Sequence, residues 1–378
     1  MPVASVFDTI VVGVGAMGSA ACWQLARRGQ RVLGLERFDI PHAYGSSHGA
    51  TRIIRLAYYE SPAYVPFLRR ALELWREAGR AFGEDLYFRT GSIDAGPNDS
   101  TVFQGSLASS QLHDLEHEVL SGAEVNRRFP GYRLPADHAA LFQPDGGFIA
   151  SERAIVAHVT LAQAAGAEIH ARERMLEWHP LPGGGVRVVT DRGSYEAGSL
   201  VMAAGAWIGE LVPELATFAV PERQVLGWFQ PRNPAIFAPS ALPVVNLLVE
   251  EGRYYALPIW GVPGFKIGRY HHLGETGAAD TLSRDVTRAD EDILRLCVSR
   301  YFPDADGPVM ALKTCMFTNT PDEHFIIDRL PGQPEVVVAS PCSGHGYKFA
   351  SVVGELLAEL AAGTTPTQDL SMFGLDRF

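Results

Sequence analysis

A chain of 378 residues is long enough for two domains or one large composite, and a hydrophobic content of 47% is ordinary for a globular protein with a sizeable core. The formal net charge of −11 argues against nucleic acid and anionic membrane as main partners. No run approaches the roughly 20 apolar residues needed to span a bilayer, the opening MPVASVFD reads as no secretory leader, and the closing LDRF matches no retention or peroxisomal signal.

Asp8 to Glu36 carries the first strong pattern. Ile10 to Val12 reads as a buried strand running into Gly13, Gly15 and Gly18, a GxGxxG set. A helix follows, then a second strand, Arg31 to Leu35, ending at Glu36. Gly13 permits the tight turn, Gly15 lets the backbone approach a pyrophosphate, and Gly18 lets helix and strand pack closely. Ala16 and Met17 open the helix, whose free N–H groups and partial positive charge suit phosphates. Glu36, with Arg37 beside it, stands where a carboxylate accepts a ribose hydroxyl. The pattern predicts a dinucleotide site but does not separate FAD from NAD.

The next stretch is polar, and its Gly45, Ser46, Ser47, His48 and Gly49 can wrap a ligand with backbone N–H groups. Arg52 and Arg55 would share one face of a helix; otherwise they belong to a solvated basic turn. Pro62 to Gly79 reads as an amphipathic helix with Val65, Leu68, Leu72 and Trp75 as its core stripe. Leu86 to Ala95 reads as one strand, and Ser100 to Phe129 as two short helices stopped by Pro130. Ala139 to Ile149 reads as strand with a turn at Asp145 to Gly147, and Glu152 to Ala165 as a helix capped by Gly166. Strands follow at Ala167 to Ala171, Val186 to Thr190 and Leu200 to Ala203. The small residues Ala203, Ala204, Gly205 and Ala206 before Trp207 let the backbone approach a ligand, or simply make a strand-to-helix turn.

From Phe218 to Phe302 aromatic and β-branched strands (Val225 to Gln230, Val244 to Val249, Tyr254 to Leu257, Phe265 to Gly268) alternate with proline and glycine turns, as in an antiparallel sheet, and a helix at Arg288 to Tyr301 closes it. A strand at Val336 to Ala339 and a helix at Phe349 to Ala361 end the chain. The expected architecture is α/β: a discontinuous nucleotide-binding domain (1–85, 145–217 and 311–378) and a substrate domain (86–144 and 218–310), with the active site between them. Four scattered cysteines (Cys22, Cys297, Cys315 and Cys342) make neither a disulfide framework nor a zinc site, so no metal and a reducing, cytoplasmic compartment are expected.

Six ordered motifs, GVGAMGSAA, GSSHGATRIIRLAY, AAGAW, FKIG, TCMFTNTPDEHF and SGHGYKF, span essentially the whole chain. With them the chain resembles the monomeric sarcosine oxidase family and its relatives N-methyltryptophan oxidase and pipecolate oxidase, among the D-amino-acid-oxidase-like flavoenzymes. The resemblance implies FAD rather than NAD, a Rossmann-like FAD-binding domain with an inserted antiparallel substrate domain, and a monomer. It implies as substrates a small secondary amino acid, sarcosine first, and O2. Formaldehyde, a primary amino acid and hydrogen peroxide would be the products, with the flavin doing the hard chemistry.

The resemblance also implies roles. Cys315 matches a cysteine that carries the flavin through a thioether; read alone, it is a small packed hydrophobe. Lys266 matches an oxygen-activating lysine; read alone, it sits on a strand's solvent face. Arg55 and Lys348 match two cations that hold the substrate carboxylate. Arg52, His48 and Thr51 match positions beside the flavin ring, and Gly344, His345 and Gly346 a loop over it. Tyr255 matches a pocket tyrosine, with Tyr254 as its rival. Phe317 stands where the sarcosine enzymes have tyrosine. Tyr270 replaces a pocket histidine, with His271 and His272 following, so which of the three faces the substrate is open. These departures bear on substrate choice, the alternatives being pipecolate, proline or N-methyltryptophan. A dehydrogenase passing electrons to a carrier is the rival of another class.

Overall fold

The computed structural model describes residues 6–378, so the reading of MPVASVFD falls largely outside the described residues. The chain opens with β1 (Val6–Val12), α1 (Ala16–Ala26), β2 (Val32–Leu35), β3 (Thr51–Ile54) and α2 (Val65–Phe82). β4 (Tyr87–Arg89), β5 (Ser92–Gly96), α3 (Thr101–Leu112), β6 (Glu118–Ser121) and α4 (Gly122–Arg128) follow. Then come β7 (Ala139–Gln143), β8 (Gly147–Ala150), α5 (Ser151–Ala164), β9 (Glu168–His170), β10 (Met175–Pro180), β11 (Val186–Thr190), β12 (Ser194–Met202) and the short α6 (Ile208–Leu211). β13 (Val220–Phe229), β14 (Val244–Val249), β15 (Gly252–Leu257) and β16 (Phe265–Arg269) precede α7 (Arg288–Tyr301). β17 (Val309–Asn319), β18 (Ile326–Leu330), β19 (Gln333–Ser340) and α8 (Ala350–Ala361) complete the order.

One sheet has the order β10-β11-β12-β1-β2-β9, with β19 beside β12 and β18 beside β19. β1, β2, β9, β12 and β19 are parallel, and β2 is buried throughout, as a strand covered on both faces must be. α1 packs on this sheet between α5 and α8. A second sheet runs β17-β13-β16-β15-β14-β5-β7-β6, antiparallel except between β14 and β5. β3, β8 and β4 form a small third sheet.

The two-residue period of the second sheet decides what reaches the site. Val225, Tyr254, Ala256, Ile267, Val245 and Ile93 point one way, into a core closed by Leu294 and Val298 of α7. The intervening residues form a cross-sheet row on the other face. Asp94 lies opposite Asn246, Asn246 opposite Tyr255, Tyr255 opposite Gly268, Gly268 opposite Leu226 and Leu226 opposite Lys313.

The helix expected at Arg288 to Tyr301 has those bounds, fixed by a capping box between Thr287 and Asp290. Leu86 to Ala95 is two strands, not one: Gly91 at φ 76 turns the chain, and β4 and β5 join different sheets. Arg52 lies on strand β3, paired with β8, and Arg55 just beyond it, so they do not share a helix face. β3, β6, β10, β17 and β18 are additional to the expected strands. β17 pairs with β13, which carries residues 309–319 into the second sheet across the expected boundary at 311. Among the described residues no helix is long and apolar enough to cross a membrane.

Candidate active site

A cavity of about 1,740 Å3, counting its open mouth, runs from the glycine turn after β1 to the polar row of the second sheet.

Gly13, Gly15, Ala16, Met17, Glu36 and Arg37 line one end. Gly13 has φ +88, and a Cβ there would lie 2.5 Å from the Ala203 oxygen. Gly18 lies behind the wall, where a Cβ would fall 1.8 Å from the Gly13 oxygen. At Gly15 the nearest protein atom to a Cβ would be Ser47 Oγ at 3.6 Å, so the missing side chain leaves space rather than avoiding a clash. α1 starts there with no cap from its N-cap residue and no acid in its first turn, and Ser47 Oγ takes only the Ala16 N–H, at 3.3 Å, so the N-terminus suits an anion. Glu36 accepts from the N–H groups of Val14 at 2.9 Å and Phe38 at 3.0 Å, which leaves carboxylate lone pairs for a ribose. Arg37 pairs with Asp280 at 2.9 Å and lies over Phe38, while Trp207 Nε1 donates to the same carboxylate at 2.7 Å. Ala204 and Gly205 line the cavity at the end of β12.

Ser46, Thr51, Arg52 and Cys315 line the middle. Arg52 donates to the Ser46 oxygen at 2.8 Å and the Thr51 oxygen at 3.0 Å, and its Nη2 is 3.5 Å from Cys315 Sγ. His48 and Lys266 sit just behind this wall. Both ring nitrogens of His48 are buried without a partner, and burial, aided by Arg52, pushes its pKa down to about 3. Lys266 Nζ donates to the Gly49 oxygen at 2.8 Å and the Thr51 oxygen at 2.5 Å. Burial and then Arg52 hold its pKa well below the usual lysine range, against the attraction of Glu152.

Arg55, Lys348, Tyr255, Gly344, His345 and Gly346 line the far end. The Arg55 guanidinium is fully buried, gives Nη2 to both oxygens of Glu60 at 2.8 and 2.7 Å, and lies over the rings of Tyr58 and Tyr59. Burial alone would raise Glu60, but Arg55, His345 and Lys348 outweigh it and hold its pKa near 2. Lys348 Nζ donates to the His345 oxygen at 2.5 Å, and burial and Arg55 lower its pKa to about 7. His345 gives Nε2–H to the Glu323 oxygen at 2.9 Å, which leaves Nδ1 to accept from the Tyr58 hydroxyl at 2.6 Å. Burial lowers its pKa to about 4, so this histidine is neutral and fully engaged in holding its loop. The flanking glycines answer to protein packing: a Cβ at Gly344 would meet the Phe317 ring at 2.5 Å, and one at Gly346 the Pro341 oxygen at 1.5 Å.

Tyr255 faces the cavity and Tyr254 the opposite core, where its hydroxyl donates to the Ile293 oxygen. The Tyr255 ring lies across Gly268, where a Cβ would come within 2.3 Å of the hydroxyl. Tyr270 is the cavity residue of its trio, edge-on to Tyr255 with centroids 5.4 Å apart and 5.8 Å from the Phe317 ring. His271 turns outward onto Glu222 and Glu323, which raise its pKa to about 9. His272 is buried on Asp290. Sequence reasoning missed Asn246 on the wall and Asp94 behind it, a pair formed only by the β5–β14 register.

The spare N–H groups at α1, the room at Gly15 and the free lone pairs of Glu36 fit a dinucleotide, and the cavity continues from there past Arg52 and Cys315 to Tyr255 and Arg55. Fold and site together define a dinucleotide-dependent oxidoreductase. The chain belongs to the FAD dependent oxidoreductase family, whose model matches residues 8–360. It is 41% identical over 372 residues to monomeric sarcosine oxidase of Streptomyces avermitilis, covering 97% of this chain and 96% of that one. It is 39% identical to monomeric sarcosine oxidase of Bacillus sp. (strain NS-129), covering 98% and 97%. N-methyl-L-tryptophan oxidase of Salmonella heidelberg is 34% identical, covering 98% and 99%. Among solved structures, NikD, an unusual amino acid oxidase essential for nikkomycin biosynthesis, superposes with a TM-score of 0.85 at 27% identity, covering 98% and 97%. Glycine oxidase from Geobacillus kaustophilus, at 20% identity, shares the fold with a TM-score of 0.82 over 99% of each chain. The expected fold and the choice of FAD over NAD are borne out at the level of the family.

Proposed function

We propose that the protein is a monomeric amine oxidase that demethylates sarcosine and other N-methyl amino acids. The observation that carries this reading is the single cavity joining an uncapped glycine turn to two buried cations, Arg55 and Lys348, beside Tyr255. Bound FAD would supply the two-electron oxidation of the N-methyl group and pass the electrons to O2. Arg55 and Lys348 bind the substrate carboxylate and so fix which C–H bond faces the reacting centre. Tyr255, Tyr270 and Phe317 wall off water around the amine. Water then hydrolyses the released imine to formaldehyde and the primary amino acid, with hydrogen peroxide as the other product. Gly13, Gly15, Ala16, Met17, Glu36 and the α1 N-terminus hold the dinucleotide. Ser46, Thr51 and Arg52 line its path. Lys266, with Arg52 and His48 around it, supplies positive charge where O2 is reduced.

Cys315 is the residue for covalent attachment. Its sulfur lines the cavity with the Arg52 guanidinium nitrogen 3.5 Å away. Cys342 also lines the cavity, but burial pushes its thiol up to about 11. Cys315→Ala is expected to release its flavin in denaturant, whereas wild type and Cys342→Ala keep theirs. Flavin washing out of the wild type would remove the covalent claim.

The test of the whole reading is a peroxide assay in air on the yellow protein with sarcosine, N-methyl-L-alanine, N-methyl-L-tryptophan, L-proline and L-pipecolate. Peroxide with sarcosine or N-methyl-L-alanine as the best of these five is expected. Peroxide only from cyclic or bulky amines would move the substrate class and implicate Tyr270 and Phe317. Flavin bleaching under nitrogen without peroxide in air would mark a dehydrogenase.

The lowered pKa of Lys348 gives a pH prediction. The ammonium is present below about 7 and lost above it. Binding of a simple carboxylate such as propionate, read from flavin absorbance, is therefore expected to weaken as pH rises through about 7. Flat affinity across that window would take Lys348 out of the carboxylate site.

A further inference from the structure

The reaction so described makes no use of Asp94 and Asn246. They face each other across the parallel register of β5 and β14. Asn246 lines the cavity, and Asp94 lies behind it at 0% exposure. Asn246 Nδ2 donates to Asp94 Oδ1 at 2.9 Å. A carboxylate only accepts, so this bond fixes the amide: nitrogen toward Asp94, carbonyl oxygen left over. Among the described residues no donor reaches that oxygen. Arg55 Nε is buried without a hydrogen-bond partner 3.6 Å from Asp94 Oδ1, and the Asp94 carboxyl has the Ser106 hydroxyl of α3 beside it.

Nothing on the core side of the sheet uses the pair, because Ile93 and Val245 fill that face with hydrocarbon. Asn246 opens instead toward the cavity, one strand over from Tyr255, and Asp94 stands behind it against the guanidinium assigned to the substrate carboxylate.

We propose that Asp94 and Asn246 form a specificity subsite that takes a hydrogen-bond donor on the substrate's side chain. The preferred substrate is then a secondary amino acid whose side chain ends in a hydroxyl, amide or ammonium group. This rests on the reading of the site as an amino acid oxidase and narrows it. Asp94 draws on the amide N–H and strengthens the carbonyl of Asn246 as an acceptor. Its charge also favours a cationic end group and, with Glu60 close by on Arg55, repels an anionic one. A ligand pinned by its carboxylate at Arg55 reaches Asn246 with a short side chain. Burial raises Asp94 only to about 6, so the anion is the prevailing form at neutral pH.

The test compares isosteric pairs on the flavin-bearing enzyme: N-methyl-L-threonine against N-methyl-L-valine, and N-methyl-L-homoserine against N-methyl-L-norvaline. At least one hydroxylated member is expected to exceed its apolar partner in kcat/KM by about tenfold or more, because a site built to bond a hydroxyl rejects the analogue lacking it. The preference should collapse toward unity in Asn246→Leu. It should also collapse in the double variant Asp94→Leu with Asn246→Leu, which strands no buried carboxylate if the single variant folds poorly. Equal rates within both pairs in the wild type, or a preference surviving in the double variant, would overturn the subsite and leave the oxidase reading intact. Flavin-bearing enzyme that oxidises no secondary amino acid would overturn both.

Discussion

Lys266→Met is expected to slow reoxidation of the reduced enzyme by O2 about 100- to 1,000-fold, while anaerobic reduction by substrate changes only a few-fold. The magnitude follows from where the charge sits. Lys266 is 1% exposed, and it shares its surroundings with Arg52 and the Trp228 ring, whose centroid is 5.5 Å from Nζ. Adding the first electron to O2 makes an anion, and a fixed cation in a dry site stabilises it far more than water-screened charge would. Substrate oxidation develops no such anion there, so the two half-reactions separate. Methionine matches the lysine stem but leaves the Gly49 and Thr51 oxygens without their donor, which costs some stability and nothing specific to O2. The sign of the pH dependence follows from the lowered pKa. The ammonium is lost at lower pH than in an ordinary lysine, so the O2 step should slow as pH rises through that lowered pKa. Stopped-flow traces of both half-reactions give the answer, and equal slowing of the two would end the assignment.

The two ends of the cavity differed in how far they could be read in advance. The dinucleotide end is compressed into contiguous residues, and sterics dictate its letters: Gly13 and Gly18 would drive a Cβ into the backbone of Ala203 and of Gly13. A local pattern with a steric cause is legible in one chain. The substrate end is assembled by register across the second sheet, where Asn246 bonds Asp94 from 152 residues away. Both faces of that sheet are covered, so no polar-out alternation marks its strands, and β17, with Lys313, Thr314 and Thr318 mixed among apolar residues, escaped the strand pattern. Lys266 and Cys315 came forward through resemblance alone. Their own residue types suggest a solvated lysine and a packed thiol, whereas both are buried at the cavity wall or just behind it. The trio Tyr270, His271 and His272 shows the limit most clearly. β16 ends at Arg269 and His271 has φ 53, and that turn, not composition, selects Tyr270.

Arg55→Lys is expected to raise KM for the amino acid by roughly 30-fold or more, about 2 kcal/mol, with a smaller change in kcat. Lysine keeps the charge and loses the fork, which is the part a carboxylate reads. Alanine is the poorer experiment, since it would strand Glu60 and Asp94 in the interior without a counter-charge, a loss of about 3–5 kcal/mol of stability that would mask binding. The geometry also predicts an effect of opposite sign. Glu60 already occupies Nη2 of Arg55 with both oxygens, and Ala57 takes Nη1 at 2.9 Å, so an incoming carboxylate must compete with Glu60 for the guanidinium. Glu60→Gln keeps the shape and removes the competing charge, so propionate should bind it more tightly than it binds the wild type. Lys348→Met should move with Arg55→Lys, toward weaker binding. Three substitutions around one guanidinium therefore divide by sign. If all three weaken carboxylate binding alike, Glu60 is a structural brace for Arg55 rather than a rival of the substrate. If none does, the carboxylate site lies elsewhere along the cavity.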